Sequence, residues 1–209
     1  MEWSDTVASM RWDNLFDDLE GQLEQELSAE EVDQRAEEER LRLGRLSLRD
    51  RLLSLHEAHG RGDEWAVRLQ LVSGASIAAR PVAFGRDWFS ADLIDDSPRR
   101  AQCIVPIAAI AGISLDRAAV ATSLDGTPGE VSGRSLSARL SLPFVLRDLC
   151  RRRSEVEVWT PAGARSGTID RVGRDHLDLA VHEPDRPRRS RAVTQYRVVP
   201  LDQLLLVRL

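Results

Sequence analysis

The tripeptide Gly85-Arg86-Asp87 returns as Gly173-Arg174-Asp175, 88 residues further along the chain. A second tripeptide, Val105-Pro106-Ile107, returns as Val199-Pro200-Leu201 after 94 residues, so the second copy carries a six-residue insertion. Several matches in the same order arise by chance far less often than any single match. We therefore infer an internal duplication.

Each copy has the pattern of a short helix followed by about five strands. Val67, Leu69 and Leu71 alternate with polar residues, as do Val156 and Val158. This alternation is typical of half-buried strands.

Glycine and proline positions predict the turns between these strands. Gly85 and Gly173 are expected to supply the positive φ angle of a tight hairpin. Pro106 and Pro200 are expected at a strand end or a one-turn 3₁₀ corner, because proline cannot donate to a sheet ladder.

The helices before the strands have their own signals. Ser47 and Asp50 form a capping-box pattern, and Gly60 is expected to end that helix. Pro143 suits the first turn of the second helix, and the arginines 151–153 favour its carboxyl end.

Charge is distributed unevenly along the 209 residues, whose formal net charge is -5. Residues 1–44 contain 14 acidic residues and 4 arginines, whereas residues 45–209 contain 20 acidic residues and 25 arginines. The chain is thus an acidic arm joined to a mildly basic body, which indicates an interaction tail or self-shielding. All 29 basic residues are arginine, which fits either a GC-rich genome or selection for bidentate contacts.

The acidic arm has the spacing of an amphipathic helix. Ser28 and Glu31 resemble a capping box, so we predict helices over 6–27 and 29–43, with Gly44 as a left-handed stop. The apolar face either packs on the body or docks a partner protein or a second copy. The predicted docking residues are Trp12, Leu15, Phe16, Leu19 and Leu23.

These patterns predict an α+β fold with a mainly β body. The predicted parts are an acidic helical arm at 1–46, a first small five-stranded β-barrel with its lead helix at 47–115, a linker at 116–140, and a second such barrel with its lead helix at 141–209.

This order of helix, strands, glycine turns and Gly-x-Asp resembles the Sm-like small barrel, whose strand order SH3-like barrels share. The chain also resembles actinobacterial proteins that begin with an acidic helix. The resemblance to Sm-like proteins implies single-stranded RNA binding at residues 85–87 and 173–175 and at the Val-Pro loops. Ala91 and Leu179 replace the asparagine usual in that family. The alternative role for Asp87 and Asp175 is structural, as acceptors of turn N–H groups.

Arginines supply the candidate nucleic-acid contacts. Two belong to the repeated tripeptide, and the others lie on the hairpin between the third and fourth strands of each copy. Clustered guanidinium groups there can follow phosphates, although a solvated hairpin is the simpler alternative. The candidates are Arg86, Arg99, Arg100, Arg174, Arg186, Arg188, Arg189 and Arg191.

The sequence therefore predicts a non-catalytic nucleic-acid-binding regulator, with RNA preferred over DNA as ligand. The alternative is a protein–protein adaptor or assembly factor whose arm helix docks a partner. Phosphate-binding glycine motifs and metal-ligand spacings are missing, so we expect no enzyme activity, metal or cofactor. His176 stands where the other copy has Trp88 and is expected to pack on the body. The longest apolar run, Ile104 to Ile113, is too short for a membrane helix, and two cysteines without a signal segment favour the cytoplasm.

Overall fold

The computed structural model describes residues 30–60, 65–95, 101–126, 136–183 and 193–209, and the chain divides into two units, 1–45 and 46–209. In the first unit, residues 30–45 are helical (α1). Ion pairs one turn apart support this helix, with Glu31 3.1 Å from Arg35 and Glu39 2.6 Å from Arg42. The predicted helix at 6–27 lies outside the described residues.

Gly44 does not end α1. The helix continues to residue 45, and φ at Gly44 is not positive, so the predicted left-handed stop is wrong. A glycine inside a helix costs only about 1 kcal/mol relative to alanine, which the flanking ion pairs and good helix formers can offset.

The second unit contains two sets of five strands, each preceded by a helix. We call residues 48–114 the first half and residues 142–208 the second half. The first half consists of α2 (Leu48–His59), β1 (Val67–Leu71), β2 (Ser76–Phe84), β3 (Trp88–Leu93), β4 (Gln102–Pro106) and β5 (Ile110–Ser114). After α3 (Arg117–Leu124), the second half consists of α4 (Leu142–Arg152), β6 (Glu155–Thr160), β7 (Gly163–Val172), β8 (His176–Val181), β9 (Gln195–Pro200) and β10 (Leu206–Arg208).

The ten strands of the described residues form one open antiparallel sheet in the order β5-β1-β2-β3-β4-β10-β6-β7-β8-β9. Each half has the same internal order, with its fifth strand returning to pair with its first. The halves meet where β10 pairs with β4, with Val207 opposite Ile104 and Arg208 opposite Cys103. The α+β, strand-rich prediction is confirmed, whereas two separate barrels are not, because this pairing makes one sheet of both halves.

The two halves repeat each other in detail. The β2–β3 ladder shifts register between Pro81 and Ala83, and the β7–β8 ladder shifts between Ile169 and Arg171, 88 residues later. Such a shift inserts one unpaired residue and bends the strand. The 3₁₀ turns Ile107–Ala109 and Leu201–Gln203 follow the two prolines, as the sequence predicts.

Each half encloses its own alternating aliphatic side chains. The first core contains Leu52, Leu69, Leu71, Phe89 and Val105, and the second contains Leu146, Val158, Ile169, Leu177 and Leu179. Trp88 and Ile104 are exceptions, because they belong to the first half in sequence but pack in the second core, and Leu205 and Leu206 of the second half are buried in the first core. Side chains exchanged in this way couple the two halves.

The signals predicted for α2 and α4 are confirmed. Ser47 and Asp50 form both hydrogen bonds of a capping box, Gly60 follows α2 with φ of 62°, and Pro143 lies in the first turn of α4. The region predicted as a linker, 116–140, contains α3, which packs on α2 through hydrogen bonds from Arg51 to the Ser123 hydroxyl at 2.8 and 3.1 Å.

The predicted positive φ angles at Gly85 and Gly173 are wrong. Glycine is needed at both positions for a different reason, because a side chain would collide with a neighbouring ring. A Cβ atom at Gly85 would overlap the Trp88 ring, and a Cβ atom at Gly173 would overlap the His176 ring. In the part of the chain that the structure describes, no helix is long and apolar enough to cross a membrane.

Candidate nucleic-acid interface

The repeated Gly-Arg-Asp tripeptides form the turns that join β2 to β3 and β7 to β8. Each turn is closed by a hydrogen bond of 2.8 Å, from Gly85 N–H to the Trp88 carbonyl or from Gly173 N–H to the His176 carbonyl. The aspartate carbonyl then accepts the N–H of Ile107 at 3.0 Å or of Leu201 at 2.8 Å. The two turns are therefore built by the same backbone contacts.

An arginine on the lead helix anchors each turn. The Arg49 Nε donates to the Gly85 carbonyl at 2.6 Å, and the Arg147 Nη2 donates to the Gly173 carbonyl at 3.1 Å. Arg49 is buried, and its Nη2 has no hydrogen-bond partner among the described residues. Arg147 is exposed, so its guanidinium reaches solvent beside the second turn.

The first turn is covered by the chain that enters the second half. The Leu140 carbonyl accepts from Arg86 N–H at 2.9 Å and from Trp88 Nε1 at 3.0 Å. The Asp87 carboxylate accepts from Leu142 N–H at 2.8 Å and thereby caps the first turn of α4. The Asp87 carboxylate thus has a structural contact, but with the first turn of α4 and not with the N–H groups of its own turn that the structural alternative names.

The second turn is open. The Asp175 side chain is 85% exposed, and its carboxylate lies 2.8 Å from His176 Nδ1. This hydrogen bond from His176 holds the pKa of Asp175 below its usual value. The His176 ring lies against Gly173 as the Trp88 ring lies against Gly85, but the His176 side chain is 46% exposed whereas Trp88 is buried. Arg174 is exposed, and its side chain has no hydrogen bond or ion pair among the described residues.

Further arginines lie on α4, which contacts this turn through Arg147, and at the end of that helix. We call Arg147, Arg151, Arg152, Arg153 and Arg174 the basic α4 surface. Arg151 and Arg152 each lie 2.6 Å from Asp148, and Arg153 lies 2.9 Å from Asp170. The hydrogen bond from Arg151, and to a smaller extent the one from Arg152, holds the pKa of Asp148 below its usual value.

The arginines of α4 are not among the candidate contacts predicted from the sequence, because their sequence position also suits a helix end. They stabilise the helix dipole at the C-terminus of α4, which ends with Arg153 at φ 55°. The run of three arginines at 151–153 is the sequence feature that indicates a basic surface at this helix. The fold adds Arg147 and Arg174 to that run, because Arg147 bonds to Gly173.

Only two of the predicted arginines are described, and they lie on turns of different halves: Arg86 on the covered turn and Arg174 on the open one. The other predicted arginines, Arg99, Arg100, Arg186, Arg188, Arg189 and Arg191, lie outside the described residues. So do Trp12, Leu15, Phe16, Leu19 and Leu23 of the predicted docking face.

Comparisons of the chain with protein-family models, with curated proteins and with solved structures each give no match.

Proposed function

We propose that this chain is a non-catalytic nucleic-acid-binding regulator, with single-stranded RNA preferred over DNA. The observation that carries the proposal is the open second turn, where exposed Arg174 follows Gly173, whose carbonyl accepts a hydrogen bond from exposed Arg147 of α4. Exposed guanidinium groups offer paired N–H donors that match phosphate oxygens.

Charge and topology support the same proposal. Of the five guanidinium groups of the basic α4 surface, those of Arg151 and Arg152 pair with Asp148 and that of Arg153 pairs with Asp170, so the five arginines outnumber the two carboxylates that they contact. Each half has a lead helix and five antiparallel strands in the order expected for an Sm-like unit.

The test measures binding of a fluorescently labelled oligouridylate to the full, nuclease-treated chain by fluorescence anisotropy over a salt series. Arg174→Glu combined with Arg151→Glu is expected to weaken binding at least about tenfold and to reduce the salt slope by about one for each lost phosphate contact. An oligodeoxyuridylate of the same length tests the preference for RNA.

Arg117→Glu combined with Arg68→Glu is the matched control. Both arginines are exposed and lie outside the basic α4 surface, and the change in net charge is the same. If this control weakens binding as much as the test variant does, only overall charge matters and the site is wrong. An unmodified chain that retains no oligonucleotide at low salt overturns the function itself.

A further inference from the structure

The lead helix of the second half begins one turn earlier than the lead helix of the first. The tripeptide Leu146-Arg147-Asp148 corresponds to Leu48-Arg49-Asp50, and α2 begins at its first leucine, whereas α4 begins at Leu142. The Leu142 N–H donates to the Asp87 carboxylate at 2.8 Å, and Leu142 is 6% exposed in the second core. The additional turn is therefore held firmly against the body.

This additional turn displays a phenyl ring beside arginines. Phe144 is 54% exposed and precedes Arg147 by three residues and Arg151 by seven. Residues with these spacings lie on one face of a helix, about 4.5 Å and about 10.5 Å along the axis from Phe144. Both arginines are exposed, and in the described part of the chain Arg147 has no carboxylate partner. The face thus combines an aromatic ring with positive charge.

We propose, on the basis of the function proposed above, that Phe144 stacks on a nucleobase and makes the site specific for single strands. A nucleotide consists of a flat base between two phosphates, which matches a ring with guanidinium groups beside it. Single-stranded RNA is commonly bound by stacking of its unpaired bases on aromatic side chains. The bases of a duplex are stacked on one another, so they do not reach the ring.

The surroundings of Phe144 favour a nucleotide over a membrane surface. A helix that lies in a membrane surface needs a broad apolar face. The apolar face of α4 is already used, because Leu142, Leu146 and Leu149 are buried in the second core. Phe144 is the one large apolar residue of α4 that is mostly exposed. One ring is enough for one base, but it is not a membrane-binding face.

The first test measures binding of labelled oligoadenylate RNA to the full, nuclease-treated chain by fluorescence anisotropy over a salt series. Phe144→Ala is expected to weaken binding about fivefold to a hundredfold, which is the effect of losing one stacked base. The salt slope should stay the same, because no phosphate contact is lost. An abasic strand of the same length and charge should bind both chains equally well.

Three further variants distinguish stacking from other effects. Phe144→Trp keeps an aromatic ring and should bind as the unmodified chain does, whereas Phe144→Leu keeps only the apolar bulk and should bind as weakly as Phe144→Ala. Tyr196→Ala is the matched control, because Tyr196 is a 63% exposed aromatic residue on β9. It lies opposite Ala180, at the other end of β8 from His176 and the open turn, and its loss should not change binding. Circular dichroism confirms the fold of each variant.

The second test uses an RNA duplex of the same length as ligand. The duplex offers phosphates but no free base, so Phe144→Ala should leave its affinity unchanged. Arg174→Glu combined with Arg151→Glu should weaken the binding of both duplex and single strand. The two sets of variants therefore separate the role of the ring from that of the basic α4 surface.

The role of Phe144 is overturned, with the proposed function intact, if the arginine variant weakens oligoadenylate binding and Phe144→Ala does not. It is also overturned if Phe144→Ala weakens binding of the abasic strand or the duplex equally, or if Tyr196→Ala is as damaging. Sedimentation with vesicles of equal amounts of phosphatidylcholine and phosphatidylglycerol tests the lipid surface: a loss of vesicle binding in Phe144→Ala without a loss of oligoadenylate binding contradicts stacking. An unmodified chain that binds no oligonucleotide at low salt overturns both proposals.

Discussion

Equivalent residues of the two halves have different surroundings, although the sequence repeats them. Asp87 accepts a hydrogen bond from Leu142 N–H and caps α4, whereas Asp175 is exposed and pairs with His176. The repeated tripeptide was sufficient to predict two similar turns. It could not predict which turn is covered, because the covering residues, Leu140 to Leu142, lie outside the motif.

The two cysteine thiols should differ strongly in reactivity. Burial raises the pKa of Cys103 to about 12, and its side chain is inaccessible in the first core. Because a thiol is protonated at pH values well below its pKa, almost none of Cys103 is in the reactive thiolate form at neutral pH. Cys150 is partly exposed. We expect a disulfide reagent to label Cys150 and leave Cys103 unlabelled in the folded chain at neutral pH.

Ellman's reagent measures this difference, with Cys150→Ser as the variant that isolates Cys103. Raising the pH should increase the rate at Cys103 by increasing the thiolate fraction, and unfolding in urea should expose both thiols. Rapid labelling of Cys103 in folded Cys150→Ser at neutral pH would contradict its place in the core.

At the scale of single elements, strand alternation and helix caps were predictable because both depend on local sequence. The β1 pattern of buried Val67, Leu69 and Leu71 is observed as expected. The function of Gly85 was not predictable, because it depends on the Trp88 ring that closes over the turn. The local sequence predicts a glycine with positive φ at this turn. The structure requires glycine for a different reason, because the Trp88 ring leaves no room for a side chain.

Alanine at the two turn glycines should therefore have unequal effects. Gly85→Ala forces the buried Trp88 ring away from Leu140 and from the second core, which should lower the free energy of unfolding by about 1–3 kcal/mol. Gly173→Ala meets only the half-exposed His176 ring, which can turn away, so its cost should be below about 1 kcal/mol. Urea denaturation of both variants gives the comparison, and equal losses would contradict this explanation.

At the scale of the whole second unit, the duplication was predictable but the junction was not. Ordered matches between distant segments identify a repeat from sequence alone. No sequence motif marks the pairing of β4 with β10. This pairing depends on the shape of two sheet edges and on the packing of Trp88 and Ile104 in the second core. For the same reason, the basic α4 surface needed the fold to bring Arg147 next to Gly173.

The shared sheet should make residues 46–209 unfold in a single transition. Ile104→Ala removes a side chain of the first half from the second core and should cost about 2–5 kcal/mol. Val198→Ala, at the equivalent exposed position of the second half, should change stability by less than about 0.5 kcal/mol. Tryptophan fluorescence and circular dichroism should report the same urea midpoint; two separate midpoints for the unmodified chain would show that the halves unfold independently.

The placement of Trp88 and Ile104 in the core of the other half has a consequence for biosynthesis. Their side chains leave the ribosome before α4 and β10 have been translated, so the nascent polypeptide displays an indole ring and an isoleucine on an incomplete sheet edge. A chaperone can bind such an exposed apolar patch until the strand that covers it has been translated.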